Sequence, residues 1–214
     1  MNLYYLDAQT HLTKNPDTSG WRSLFTSDLK NAIYPEGIWH FDNGVLFPDK
    51  DEVIWSDKMY QNFMIDLEFK NADGTNSGVI VYGSDRSDWI PNSVEIQIAD
   101  DFSEKWKNAD KTWQCGAIFG HLAASKSVVK KPGEWNRMTI SCMGKNIRII
   151  LNNELVTVMD MNLWKSAKVN PDGSSIPAWL SRPFSELATK GYIGLHGKHA
   201  YAIVYFRNIK IKEL

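Results

Sequence analysis

The stretch Asn92–Asp101, "NSVEIQIADD", alternates apolar and polar side chains with a period of two. That period belongs to an extended strand with one face in a core, so Val94, Ile96 and Ile98 are predicted to point inward and Glu95 and Gln97 the other way. Whether the second pair faces solvent or a ligand is the question the rest of the chain has to answer. Similar alternation recurs in "EWNRMTISCMG", "NIRIILNNELVTVMDM", "GYIGLHG" and "AIVYFRNIKIKEL", and the turn signals between runs are of the Asn-Gly and Asp-Gly type. "GIWHFDNGVLF" reads as a hairpin turning at Asn43-Gly44. "NFMIDLEFKNADGTNSGVIVYG" reads as a second, turning near Asp73-Gly74, with Ile65, Leu67 and Phe69 on one face and Asp66 and Glu68 on the other. Asn152-Asn153 reads as a third tip, and "CGAIFGHL" as a further strand. Helical periodicity is confined to "RPFSELATKG", where Pro183 suits a first turn and Gly191 a stop. "AKVNPDGSSIPAWLS" reads as a long surface loop.

Many short alternating strands with few helices imply two packed antiparallel sheets, each strand showing one face to the core and one outward. The expected fold is therefore all-β, a jelly-roll β-sandwich with one concave ligand face. A chain of 214 residues, 43% hydrophobic and 12% aromatic, can bury one sizeable core, so a single domain over residues 1–214 is expected. Lys plus Arg (24) nearly balance Asp plus Glu (25), which argues against nucleic acid or an anionic membrane as partner. No apolar run approaches the roughly 20 residues of a membrane-spanning helix. The opening "MNLYYLDAQTHLTKN" lacks the basic segment followed by an apolar stretch of a signal peptide, although a cloned mature exported domain would look the same. Cys115 and Cys142 are too few for a disulfide framework or a cysteine zinc site; whether they form one bridge is open.

Eight segments in order and spacing, "GWRSLFTSDLKNA", "NSGVIVYG", "VEIQIADD", "GAIFG", "KKPGEWNRMTI", "IRIILNNELV", "NPDG" and "GYIGLHG...YFRNIKIKEL", together resemble the 3-keto-disaccharide hydrolase family from about residue 20 to the C-terminus. The resemblance implies the concanavalin A-like lectin and glucanase fold, a sugar-binding groove, and a periplasmic or secreted setting in glycan-degrading bacteria. It implies that Glu95 faces that groove. A partly desolvated glutamate has a raised pKa and serves as a base near neutrality. A sugar oxidised at C3 offers it an acidic C2 hydrogen; the enolate expels the anomeric substituent, and water then adds back. Such a reaction also needs an enolate partner and a proton donor, for which His121 and His196 are the candidates. Asn76 and Gln97 are expected to hydrogen-bond sugar hydroxyls, and Tyr82, Trp89 and Trp113 to stack on a pyranose ring. Where many family members end the Asn-Ser-Gly strand in arginine, this chain has Tyr82-Gly83, which leaves Arg86 as the cation that could reach in from the loop.

Two other functions fit the residues. A conventional glycosidase would use Glu95 and Asp100 of "EIQIAD", but retention needs carboxyls about 5 Å apart on one face, and strict alternation puts these two on opposite faces unless a bulge intervenes. A non-catalytic carbohydrate-binding module needs the aromatic and amide groups but no base. No His-Glu-x-x-His or calcium-loop pattern is present, so a divalent ion, calcium among them, is compatible with the fold without support from spacing.

Overall fold

The structure is a computed structural model that describes residues 12–199 and 201–214. The opening stretch Met1–His11, and with it most of the segment read for a signal peptide and the start of the expected domain, lies outside the described residues. In chain order the strands are β1 (Arg22–Ser23), β2 (Ala32–Ile33), β3 (Trp39–Asp42), β4 (Val45–Pro48), β5 (Ile54–Ser56), β6 (Phe63–Asn71), β7 (Asn76–Gly83), β8 (Val94–Ala99), β9 (Trp135–Met143), β10 (Asn146–Leu151), β11 (Glu154–Asp160), β12 (Tyr192–Leu195) and β13 (Val204–Glu213). They form two antiparallel sheets. The larger runs β11-β10-β9-β6-β13-β4-β3, with β1 also paired to β13; the smaller runs β2-β5-β12-β7-β8. This is the two-sheet antiparallel β-sandwich that the alternation implied.

The core lies between the sheets. From β6, Phe63, Ile65, Leu67 and Phe69 are completely buried in it, each stabilising the fold by about 1.5–3 kcal/mol. The opposite face of β6 carries Asp66, held by Arg137 and Thr139, and Glu68, held by Arg207. From the smaller sheet, Val94, Ile96 and Ile98 of β8 complete the core, as their period of two requires. Glu95 and Gln97 therefore stand on the sheet's other face.

Three local expectations are corrected. The β3–β4 hairpin turns at Asn43-Gly44 (φ 49° and 80°) and the β10–β11 hairpin at Asn152-Asn153 (φ 51° and 66°), as read. β6 and β7, however, are not a hairpin: β6 pairs with β9 and β13, β7 with β8 and β12. Asp73-Gly74 carries the chain from one sheet to the other, and Asn71 Nδ2 ties the crossing to the Ala99 carbonyl (2.9 Å). "CGAIFGHL" is no regular strand. It runs irregularly along the outer edge of β8, with Gly116 and Gly120 in left-handed backbone, and covers that edge through Gly116 N–H to Gln97 O (2.9 Å) and Phe119 N–H to Glu95 O (3.0 Å). "RPFSELATKG" forms only a three-residue 3₁₀ turn, Phe184–Glu186, with Pro183 at its N-cap. A four-residue helix instead lies at Glu104–Lys107, in the polar insertion. Cys115 and Cys142 are both free and buried, and burial pushes both thiols upward in pKa. No helix among the described residues is long and apolar enough to cross a membrane.

Candidate active site

Glu95 projects from β8 across the neighbouring strand β7 and lies over Gly78. A methyl group at residue 78 would meet Glu95 Oε1 at 2.4 Å and Cγ at 2.7 Å, so only glycine admits the carboxylate here. Ser77, just before the contact, and the Gly78 carbonyl have tasks of their own. The Ser77 hydroxyl donates to the His196 carbonyl (2.7 Å), and the His196 N–H donates to the Gly78 carbonyl (2.9 Å). The Asn-Ser-Gly triplet thus seats both the carboxylate and the backbone of the histidine that follows β12. Asn76 Oδ1 accepts from Gln97 Nε2 (2.8 Å), fixing the amide pair beside them.

His196 bridges two carboxylates: Nδ1 bonds Glu95 Oε1 (2.8 Å) and Nε2 bonds Asp51 Oδ1 (3.0 Å). His199 Nδ1 reaches the other Asp51 oxygen at 2.6 Å. Asp51 comes from the loop before β5, and Gly197 brings that loop in: a methyl group there would strike the Glu52 and Lys50 carbonyls at 2.4 and 2.5 Å. Lys198 N–H donates to the Lys50 carbonyl (3.0 Å) and completes the clamp.

Electrostatics follow from this packing. Burial acts to depress the His196 pKa, but the Glu95 charge and the hydrogen bonds to Asp51 and Glu95 outweigh it and raise His196 to about 10. Asp51 is held at about 2, chiefly by its hydrogen bond to His196; burial opposes this, and His199 adds to it. At neutral pH His196 is therefore held as an imidazolium, paired with the Asp51 carboxylate. The side chains of Glu95 and His196 are only 13% and 15% exposed, so they belong to a recess rather than to the open surface.

The recess is a pocket of about 540 Å³. Asn76, Trp89, Glu95, Gln97, Trp113 and His196, six of the sequence-predicted site residues, line it together. Trp89 packs edge-on to His196 (5.2 Å between ring centres), and Trp113 packs on Phe119 and Trp179. Two expected members are elsewhere. Tyr82 has φ 58°, turns into the core against Phe63 and donates its hydroxyl to the Gly144 carbonyl (2.8 Å). His121 is 3% exposed and stacked under Phe184 (3.7 Å); its Nδ1 bonds the Phe119 carbonyl and its buried Nε2 has no partner. Burial lowers its pKa to about 4, against the Phe119 bond, so at neutral pH the ring is uncharged and its one N–H is donated to the Phe119 carbonyl. Nor does Arg86 reach in: it lies over the Tyr192 ring, away from Glu95. Asp100 is buried outside the pocket, accepting from Gly74 and Phe102 N–H, and so is no catalytic partner for Glu95.

Sequence reasoning missed Asp51, His199 and Trp179. The His-Gly-Lys-His spacing, two imidazoles around a glycine at a strand end, was a usable signal for His199. Nothing local marked Asp51, which arrives through a long-range backbone contact.

A β-sandwich whose smaller sheet and flanking loops bring a carboxylate, an imidazole and tryptophans into one recess has the architecture of a carbohydrate-active protein. The chain belongs to the 3-keto-alpha-glucoside-1,2-lyase-like domain family, whose model matches residues 11–212. Its fold is similar to that of a candidate glycosyl hydrolase from Parabacteroides distasonis, 56% identical, covering 91% of this chain and 99% of that one with a TM-score of 0.89. At fold level alone it also resembles the carbohydrate-binding module CBM66 from Bacillus subtilis (13% identity, 88% and 99% coverage, TM-score 0.54). The same holds for the exoplasmic/lumenal domain of VIP36 bound to Ca2+ and Man3GlcNAc (9% identity, 90% and 88% coverage, TM-score 0.53). No curated protein matches the chain.

Proposed function

We propose that this protein cleaves 3-keto-glycosides by elimination across C1 and C2, followed by addition of water, with Glu95 as the base. One observation carries the reading: Glu95 Oε1 is fixed by His196 at 2.8 Å, while Oε2 has no hydrogen-bond partner among the described residues and the side chain lines the pocket. A carboxylate held by one oxygen and free at the other is positioned to take a proton from a bound substrate. The C2 hydrogen passes to Oε2, and its electron pair moves to the C3 oxygen as an enolate. The enolate then reforms the ketone as C1=C2 is made and the C1–O bond breaks; the departing oxygen takes a proton from water, and Glu95 returns the one it removed to the hydroxide so formed. Water adds its oxygen at C1 and its hydrogen at C2 to give the free 3-keto sugar. His196 is a positioning residue for the base; Trp89 and Trp113 offer faces for the pyranose, and Asn76 and Gln97 offer amides for its hydroxyls.

The test compares 3-keto-trehalose with unoxidised trehalose, in deuterated water, for wild type and Glu95→Gln. Cleavage of the keto sugar alone, deuterium at C2 of the product, and a loss of about 10²–10⁴-fold in the folded variant are expected. Cleavage of the unoxidised sugar would make the protein a conventional glycosidase. Binding of unoxidised glycans with no turnover of the keto sugar would make it a binding module.

A further inference from the structure

The Asp51–His196–His199 cluster exceeds what a base and its orienting histidine require. We propose that these three side chains bind a divalent transition-metal ion at the pocket wall. Their ligand atoms all lie within 4.8 Å of one another, and two of the three pairs are already at 3.0 and 2.6 Å. Bond lengths of about 2.0–2.2 Å to imidazole nitrogen and carboxylate oxygen place the ligand atoms of a four-coordinate site about 3.3 Å apart. Small side-chain rotations therefore suffice to admit an ion, which takes the place of the proton between His196 Nε2 and Asp51.

A second observation points the same way. The far nitrogen of His196, Nδ1, bonds Glu95 Oε1 (2.8 Å), the carboxylate–imidazole arrangement that fixes the tautomer and orientation of a metal-bound histidine. The backbone supporting the trio is built for the purpose, since residue 197 must be glycine for the Asp51 loop to reach His196. Two nitrogens and one carboxylate oxygen select the manganese-to-zinc group; calcium, which prefers six to eight oxygen ligands, is the poorer fit.

All three side chains line the pocket that holds Glu95, so the open coordination positions fall where a substrate would lie. Resting on the keto-sugar reading, the ion's role is to bind the C3 ketone oxygen and polarise it. It then takes the negative charge that appears there when Glu95 removes the C2 proton. This supplies the enolate partner that the buried His121 cannot be.

The experiment uses chelator-stripped full chain titrated with Co2+, followed by calorimetry and by the visible ligand-field band. One equivalent is expected in wild type. His199→Ala and Asp51→Asn, both at exposed positions, are expected to abolish the band and weaken binding by about a hundredfold or more, and Glu95→Gln to weaken it by about 10–100-fold through its hold on His196. No band in wild type, undiminished affinity in His199→Ala, or a preference for Ca2+ would each overturn the site. Turnover of 3-keto-trehalose separates site from function. Loss on chelation with recovery on Co2+ supports the assigned role, and full metal-free turnover overturns that role while leaving Glu95 as base. Stoichiometric Co2+ binding without turnover under any condition supports the site and sinks the keto-sugar reading.

Discussion

Replacing Gly78 by alanine tests the placement of Glu95 without touching its chemistry. The added methyl would stand 2.4 Å from Oε1, 2.7 Å from Cγ and 2.9 Å from Cδ, whereas ordinary contact begins at 3.4 Å. The carboxylate must therefore move by about 1 Å, and a displacement of that size at a reacting group costs about 10²-fold in rate, or about 2.7 kcal/mol of activation free energy. Overpacking costs about 1–3 kcal/mol of stability, and the reduced freedom of the unfolded chain returns about 0.4–1 kcal/mol. The melting temperature is expected to fall by only several degrees, at about 2–4 °C per kcal/mol for a chain of this size. The assay is kcat and KM on 3-keto-trehalose beside thermal melts, for Gly78→Ala, Glu95→Gln and the double variant. The loss should sit in kcat, and Gly78→Ala should add little on the Glu95→Gln background, because both act through one carboxylate. A folded Gly78→Ala protein with near wild-type kcat/KM, or an undiminished further loss in the double variant, would refute the reasoning.

His121 should make stability fall with acid. Its folded-state pKa of about 4 lies below the reference value of 6.5, so between those values the unfolded chain binds the proton and the folded chain does not. Stability is intact above about pH 6.5 and is lost progressively toward pH 4, by about 3 kcal/mol in all. His121→Phe keeps a ring under Phe184 but cannot titrate, and should flatten that part of the urea-midpoint curve; parallel curves for the two proteins would contradict this. Trp179 is 54% exposed and packs edge-on to Trp113 at the pocket, so Trp179→Ala should leave the melt nearly unchanged. It should weaken keto-sugar binding by about 0.5–1.5 kcal/mol, roughly two- to tenfold; an unchanged KM would remove Trp179 from the binding surface.

What was legible in the sequence was what short-range physics controls. The period of two in Val94–Ala99 put Glu95 and Gln97 on the face opposite the core, and Asn43-Gly44 specified its turn through left-handed backbone. The Asp73-Gly74 turn was visible too, but a turn signal says only that the chain reverses. Which sheet β7 joins is decided by partners distant in sequence, β12 and β8. "CGAIFGHL" has a strand's composition and fails as one because two left-handed glycines bend it along the edge of β8. Tyr82, expected to stack on a sugar ring, misled for a similar reason: its positive φ turns the ring into the core against Phe63. The family resemblance raised Glu95 above the solvated-face reading, whereas Asp51 joins His196 across 145 residues through a backbone approach that no local pattern encodes.

β13, which joins the two halves of the larger sheet, is also the last of its strands in chain order, and it lies between β6 and β4 with β1 on its flank. Until Val204–Glu213 has cleared the ribosome, the larger sheet exists as two fragments with unpaired inner edges, β9–β6 on one side and β3–β4 on the other. The larger sheet is thus closed only when β13 joins, and before that the inner edges of β6 and β4 carry the unpaired backbone groups that make a sheet edge prone to pair with other chains.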